Sequence, residues 1–201
     1  KNGCYANHIP VRKNTKSIVY HLKQLGYEVV LAGKSHVNPP IVFKWDRFIK
    51  NIEGKKLNID GIENYLKNSN KPFCLIIASD YPHGPYPKNT DYKITDIKKQ
   101  PYENKIPNYK PGYYQNIKTD NSQLGKILEL SDKLKLTDNS IFIYASDHGI
   151  SGKYGLYQKG LKIPLVIRWP GNLKHNSTSN SLLTMVDILP TLVDIAGGKT
   201  N

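Results

Sequence analysis

Residues 14–40 read NTKSIVYHLKQLGYEVVLAGKSHVNPP. Ile18, Val19, Leu22 and Leu25 recur at helical spacing, Asn14 or Thr15 stands where an N-cap belongs, and Gly26 supplies the stop. The run YEVVLAG that follows is apolar throughout instead of alternating, which is the pattern of a strand covered on both faces. A helix, a one-glycine turn, a buried strand and a polar loop carrying Lys34 and His36 make half of an α/β unit.

The same grammar continues downstream. A weak helical pattern near Ile59 to Lys67 leads to PFCLIIAS and then to the loop DYPHGPYP, with Asp80 and His83. Residues 86–111 are rich in Tyr, Lys, Asn and Pro without a period and read as a long surface excursion. Pro111 opens a helix with Tyr114, Ile117, Leu124, Ile127, Leu128 and Leu134 on its apolar positions. The strand SIFIYAS ends in Asp147-His148-Gly149, IPLVIRW is a further strand, and MVDILPTLVDIAGG is a helix starting near Asp187 with Gly197 as its stop. Alternating helices and apolar strands predict an α/β fold with a mostly parallel sheet sandwiched between helices, in a single domain spanning residues 1–201.

Composition narrows the function classes. The formal charge of +13 over 201 residues would suit a polyanion, but the excess is almost all lysine, with Arg12, Arg47 and Arg168 the sole arginines, and it is scattered through the loops. Nucleic-acid readers concentrate arginine and aromatic residues on one face, so no nucleic-acid partner is expected. The longest apolar run, Phe73 to Ala78, is far too short to span a bilayer, and no charged-then-apolar leader precedes it. Cys4 and Cys74 make no disulfide framework, and Cys74 reads as a small buried hydrophobe.

Three apolar strands in succession end in a loop that bears histidine: Lys34 and His36, Asp80 and His83, Asp147 and His148. If these strands run parallel, their loops share one rim, where open α/β sheets bind ligands. Asp147 beside His148 offers a carboxylate and an imidazole, the edge of a divalent-metal site, although Asp at a strand end also serves as a turn or cap. Lys34, His36 and Lys153 suit the oxygens of a tetrahedral anion, and His83 or His36 suits proton delivery to a departing oxygen.

On these residues the chain resembles the sulfatases of the alkaline-phosphatase-like superfamily. The matching runs are LKQLGYEVVLAGKSHV, PFCLIIASDYPHGPY, GYYQNIKTDNSQLGKIL, IFIYASDHG, GKYGLYQKGLKIPLVIRWPG and MVDILPTLVDIAGG, in the family's order. The resemblance implies a sulfuric ester or sulfamate hydrolase acting on a sulfated small molecule or glycan, in a periplasmic, secreted or lysosome-like compartment. It makes Lys34 and His36 the sulfate-binding pair, His83 a substrate-contacting histidine in its Pro-His-x-Pro setting, and Asp147 and His148 two of the metal ligands. Lys153, with Lys159 as the alternative, takes the place of the lysine that bridges sulfate and nucleophile. Asp187 also matches a family motif, but a helix-capping role explains it.

Three family features have no counterpart here. The Cys/Ser-x-Pro/Ala-x-Arg motif, whose Cys or Ser becomes formylglycine, is absent, since Cys4 in CYANH keeps the Cys-x-Ala spacing but has His8 in place of Arg. The earlier Asp-Asp pair of the metal site and the smaller C-terminal subdomain are absent too. The resemblance thus implies a partial catalytic domain that is inactive and binds metal weakly by itself. Calcium is the implied metal, while an imidazole at His148 suits manganese or zinc and keeps open a phosphodiesterase or phosphonate monoester hydrolase of the same superfamily. A noncatalytic anion-binding remnant is the reading from outside enzymology.

Overall fold

β1, Glu28–Gly33, is buried from Val29 onward, as its unbroken apolar run predicts. The structure is a computed structural model and describes residues 2–6, 8–93, 111–149 and 157–199. The chain divides into two compact units, Lys1–Ile127 with Leu182–Asn201, and Leu128–Ser181.

In the first unit β1 lies between β2, Arg47–Ile49, and β3, Phe73–Ala78, and both neighbours run parallel to it. β1 and β3 pair from Glu28↔Phe73 to Gly33↔Ala78, and the ladder continues one step further as Lys34 N–H donates to the Ala78 carbonyl at 2.8 Å. The parallel sheet expected from sequence is therefore present, with β2 as an addition: three residues carry too short a pattern to read.

α1, Ile18–Gln24, packs Val19 and Leu22 with Val29 and with Val193 of α5, Ile188–Ile195, in one cluster that Trp45, Cys74 and Leu189 flank. Its cap is Ser17 rather than Asn14 or Thr15, because the Ser17 hydroxyl accepts from Tyr20 N–H while donating to the Val42 carbonyl at 2.7 Å. α2, Ile59–Asn68, starts on Asn58, whose side chain accepts from Gly61 N–H, and buries Ile62, Tyr65 and Leu66. Burial, with Glu28 beside the hydroxyl, pushes the Tyr65 phenol up to about 12. Burial likewise pushes the Cys74 thiol up to about 11, which fits a cysteine acting as a small hydrophobe. Ahead of α5, Thr184 and Asp187 form a capping box around a 3₁₀ turn, Met185–Asp187, so Asp187 has the structural role read from sequence.

The register of β1 is pinned at both ends. At its start Asp46 accepts from Val29 N–H at 2.8 Å and pairs with Lys23 at 2.7 Å. Burial works to raise the Asp46 pKa, but the Lys23 and Val29 hydrogen bonds outweigh it and hold the carboxyl below its ordinary 3.8. At its end Gly33 sits at φ +93°, and a Cβ there would lie 2.3 Å from the Ala78 carbonyl oxygen and 2.9 Å from Leu57. Only glycine fits both the backbone angle and the gap.

In the second unit β4, Phe142–Ala145, pairs antiparallel with β5, Leu165–Arg168. An apolar run reports burial and is silent on direction, so the sequence pattern does not distinguish this antiparallel pair from the parallel strands of the first unit. Arg168 lies opposite Phe142 in the register, with its guanidinium 5.5 Å from the ring centroid and 3.7 Å from Asp132. α3, Pro111–Lys133, begins at the predicted proline, and α4, Gln158–Leu161, is a single turn that the sequence reading left inside a loop. The excursion predicted over residues 86–111 falls largely on residues 94–110, outside the described residues. Among the described residues no helix is long and apolar enough to cross a membrane.

Two stability outcomes follow from the β1 ends. Gly33→Ala adds a left-handed penalty to a backbone clash and should cost about 2–4 kcal/mol in denaturant unfolding; a loss near zero would show that the strand end moves freely. Because the Asp46 pKa is depressed in the fold, its contribution is present above its ordinary value and is lost as pH falls through the depressed value. Asp46→Asn should therefore cost about 1 kcal/mol at neutral pH, with the gap from the unaltered chain closing in acid; a gap that persists unchanged at low pH would contradict this.

Candidate functional site

The parallel pairing of β1 with β2 and β3 delivers three polar residues to one edge. Lys34 follows β1, Asn51 follows β2, and Asp80 follows β3. Lys34 Nζ stands 3.7 Å from Asp80 Oδ1, and Asn51 Nδ2 donates to Asp80 Oδ2 at 2.8 Å. Both charged side chains are about one-quarter exposed, at 27% and 24%. The Lys34–Asp80 separation exceeds the span of roughly 2.7–2.9 Å of a charge-assisted hydrogen bond, so the ammonium is held nearby with donors left for another oxygen. Asn51 Oδ1 is buried, with no hydrogen-bond partner among the described residues.

His83 sits in the loop that leaves β3, on a turn closed by its own N–H donating to the Asp80 carbonyl at 3.1 Å. Its carbonyl accepts from Asn116 Nδ2 at 3.2 Å and from Lys55 Nζ. The ring Nδ1 lies 2.8 Å from the Gly84 carbonyl. A carbonyl only accepts, so Nδ1 carries the proton of the neutral ring and Nε2 keeps its lone pair. Lys55 also donates to the Pro85 carbonyl at 3.4 Å and stands 5.7 Å from the Tyr81 ring centroid. Burial lowers the Lys55 pKa, Asp80 raises it and Lys34 lowers it, which places all three charges in one electrostatic neighbourhood.

His36 is exposed, with its ring centroid 5.8 Å from that of His8 at a 60° tilt. In the second unit Asp147 and His148 occupy the turn after β4, with His148 Nε2 3.8 Å from Asp147 Oδ1. His148 Nδ1 lies 2.8 Å from the Gly149 carbonyl, the same arrangement as His83 on Gly84, while the Ser146 hydroxyl donates to the His148 carbonyl at 2.8 Å. Nε2 of His148 is thus the nitrogen available to a cation. Among the described residues no group of three or more metal-ligating side chains converges. Lys153 and the side chain of Lys159 lie outside the described residues.

Of the residues singled out from sequence, Lys34 and Asp80 meet, His83 joins them through Lys55, and Asp147 meets His148. Asn51, Lys55 and Asn116 escaped the sequence reading. The Glu53-Gly54 turn was a signal for Lys55, since it closes a hairpin beside the strand-end loops; Asn51 and Asn116 gave none.

Against known proteins, residues 1–198 match the family model described as Sulfatase. The chain is 49% identical over 210 residues to an ulvan-active sulfatase of Formosa agariphila, covering 99% of this chain and 42% of that protein. It is 28% identical over 194 residues to an endo-4-O-sulfatase of Bacteroides thetaiotaomicron, covering 81% of this chain and 37% of that protein. The chain accordingly spans about two-fifths of the length of these relatives. Its fold matches a solved structure described in complex with its substrate D-glucosamine-2-N,6-O-disulfate, at TM-score 0.76 and 20% identity over 100% of this chain and 64% of the other. It also matches a phosphonate monoester hydrolase of Silicibacter pomeroyi, at TM-score 0.61 and 14% identity over 97% of this chain and 62% of the other. With the family model covering residues 1–198 and a relative 49% identical over 99% of the chain, the chain belongs to the sulfatase family.

Proposed function

We propose that the protein carrying this chain hydrolyses sulfate esters of a sulfated glycan. The carrying observation is the Lys34–Asp80–Asn51 cluster at the carboxyl ends of three parallel strands, in a chain 49% identical to an ulvan-active sulfatase. The net reaction adds water across the sulfur–oxygen bond and releases an alcohol and sulfate.

In this reading Lys34 and His36 bind the sulfuryl oxygens, where an ammonium and an imidazole offset the charge that builds as the ester bond breaks. His83, with Nδ1 engaged by Gly84, presents Nε2, which when protonated hands its proton to the leaving oxygen. Lys153 takes the lysine position between sulfate and nucleophile, with Lys159 as its alternative. Residues 1–201 hold no Cys/Ser-x-Pro/Ala-x-Arg motif for the family's formylglycine nucleophile.

Asp147 and His148 would hold a divalent cation, and the fit rests on their donors: an exposed carboxylate next to an imidazole whose Nδ1 is already anchored. Such a cation would supply Lewis-acid stabilisation of developing negative charge. Calcium suits the carboxylate and manganese or zinc suits the imidazole, so His148 also supports a second reading as a phosphonate or phosphodiester hydrolase.

In the full-length protein, Lys34→Ala should lower kcat/KM on sulfated oligosaccharides by about a hundredfold, the scale of one lost charge-stabilising donor. Hydrolysis equal to wild type would remove Lys34 from the site, and a preference for phosphonate over sulfate esters would favour the second reading. Titration calorimetry should show the cation bound at least about tenfold more weakly to Asp147→Ala, as expected for a lost ligand; unchanged affinity would place the metal elsewhere.

A further inference from the structure

The sulfate-ester reading gives roles to Lys34, His36 and His83 but leaves Lys55 unused, although its ammonium engages the loop that carries His83. We propose that Lys55 is a positioning residue, one that ties the His83 loop down by its backbone carbonyls and adds a second positive charge to the anion site at Lys34. The proposal rests on the reading given under Proposed function and adds a residue to it.

The backbone places Lys55 there deliberately. Ile52 and Lys56 bridge antiparallel, with Ile52 N–H on the Lys56 carbonyl at 2.9 Å, and the residues between reverse through Glu53 at φ 43° and Gly54 at φ 71°. Two successive left-handed residues make the tight reversal that favours glycine, and it sets Lys55 at the chain's return.

From that point Nζ engages alternate residues of one loop: the ring of Tyr81, the carbonyl of His83 and the carbonyl of Pro85. Asn116, only 4% exposed, reaches the same loop from α3 with donations to the Pro82 carbonyl at 3.4 Å and the His83 carbonyl at 3.2 Å. Two donors therefore converge on the His83 carbonyl, and the loop backbone is fixed on both sides of the imidazole.

A neutral donor would hold those carbonyls at a lower desolvation cost than an ammonium. Burial indeed disfavours the charged form of Lys55, and Asp80 supports it from across the cluster. With one carboxylate shared between Lys34 and Lys55, the three ionised groups sum to a single positive charge, which suits a monoanionic sulfate ester.

The experiment uses full-length protein carrying Lys55→Met, Lys55→Gln or Lys55→Arg, assayed on a sulfated oligosaccharide and by hydrogen exchange over residues 80–87. Lys55→Met should lower kcat/KM by about ten- to a hundredfold, the range for misplacing a reacting group, and speed exchange in that loop. Lys55→Arg should restore most of both. Lys55→Gln, which keeps a donor but no charge, should keep the exchange protection while losing part of kcat/KM. Exchange unchanged in Lys55→Met, or full kcat/KM in Lys55→Gln, would overturn the proposal. A wild-type protein inactive on every sulfate ester would overturn the functional reading instead, and the exchange arm would still decide whether Lys55 holds the loop.

Discussion

Everything at the candidate site depends on the parallel pairing of β1 with β3. Paired strands of the same direction end at the same edge, and here both end at the Gly33↔Ala78 pair, with Lys34 N–H bonded to the Ala78 carbonyl at 2.8 Å. Whatever leaves β1 must then meet whatever leaves β3. Gly33 makes the approach close enough, because any side chain there would strike the Ala78 carbonyl. The chemistry of the edge follows from hydrogen bonds that carry no chemical information themselves.

The charge balance at that edge is unequal by construction. Asp80 has one oxygen committed to Asn51 at 2.8 Å and the other 3.7 Å from Lys34, while Lys55 lies close enough for both charges to move its proton affinity. Had Asp80 made a tight bidentate pair, Lys34 would be neutralised and of little use to an anion. Had no carboxylate been present, two half-buried ammoniums would repel each other and bear their desolvation alone. The arrangement sets one carboxylate against two lysines at the mouth of the His83 loop.

Much of this was legible in the sequence, and what was not has a common cause. α1, β1, β3 and the start of α3 were readable because each has its own periodicity and its own punctuation, such as Gly26 or Pro111. Lys34, His36, His83, Asp147 and His148 were readable as polar residues that close apolar runs. β2 was missed because three residues hold no pattern, and the antiparallel course of β5 because burial does not encode direction. Asn51, Lys55 and Asn116 were missed because their roles exist only through partners 28 to 34 residues away in the chain. Local sequence sets which groups are available; tertiary pairing decides which of them act together.

The two His-Gly steps show how one local device can serve two kinds of chemistry. At His83 and at His148 the ring Nδ1 lies 2.8 Å from the carbonyl of the following glycine, which fixes the tautomer and leaves Nε2 as the outward atom. What separates them is the company of Nε2 and of the backbone. The His148 carbonyl is held by the Ser146 hydroxyl, and its Nε2 lies 3.8 Å from the Asp147 carboxylate. The His83 carbonyl is held by the Lys55 ammonium and the Asn116 amide, a cationic and a neutral donor on one acceptor. The imidazoles are prepared alike, and what differs between them is the charge of the groups placed around each.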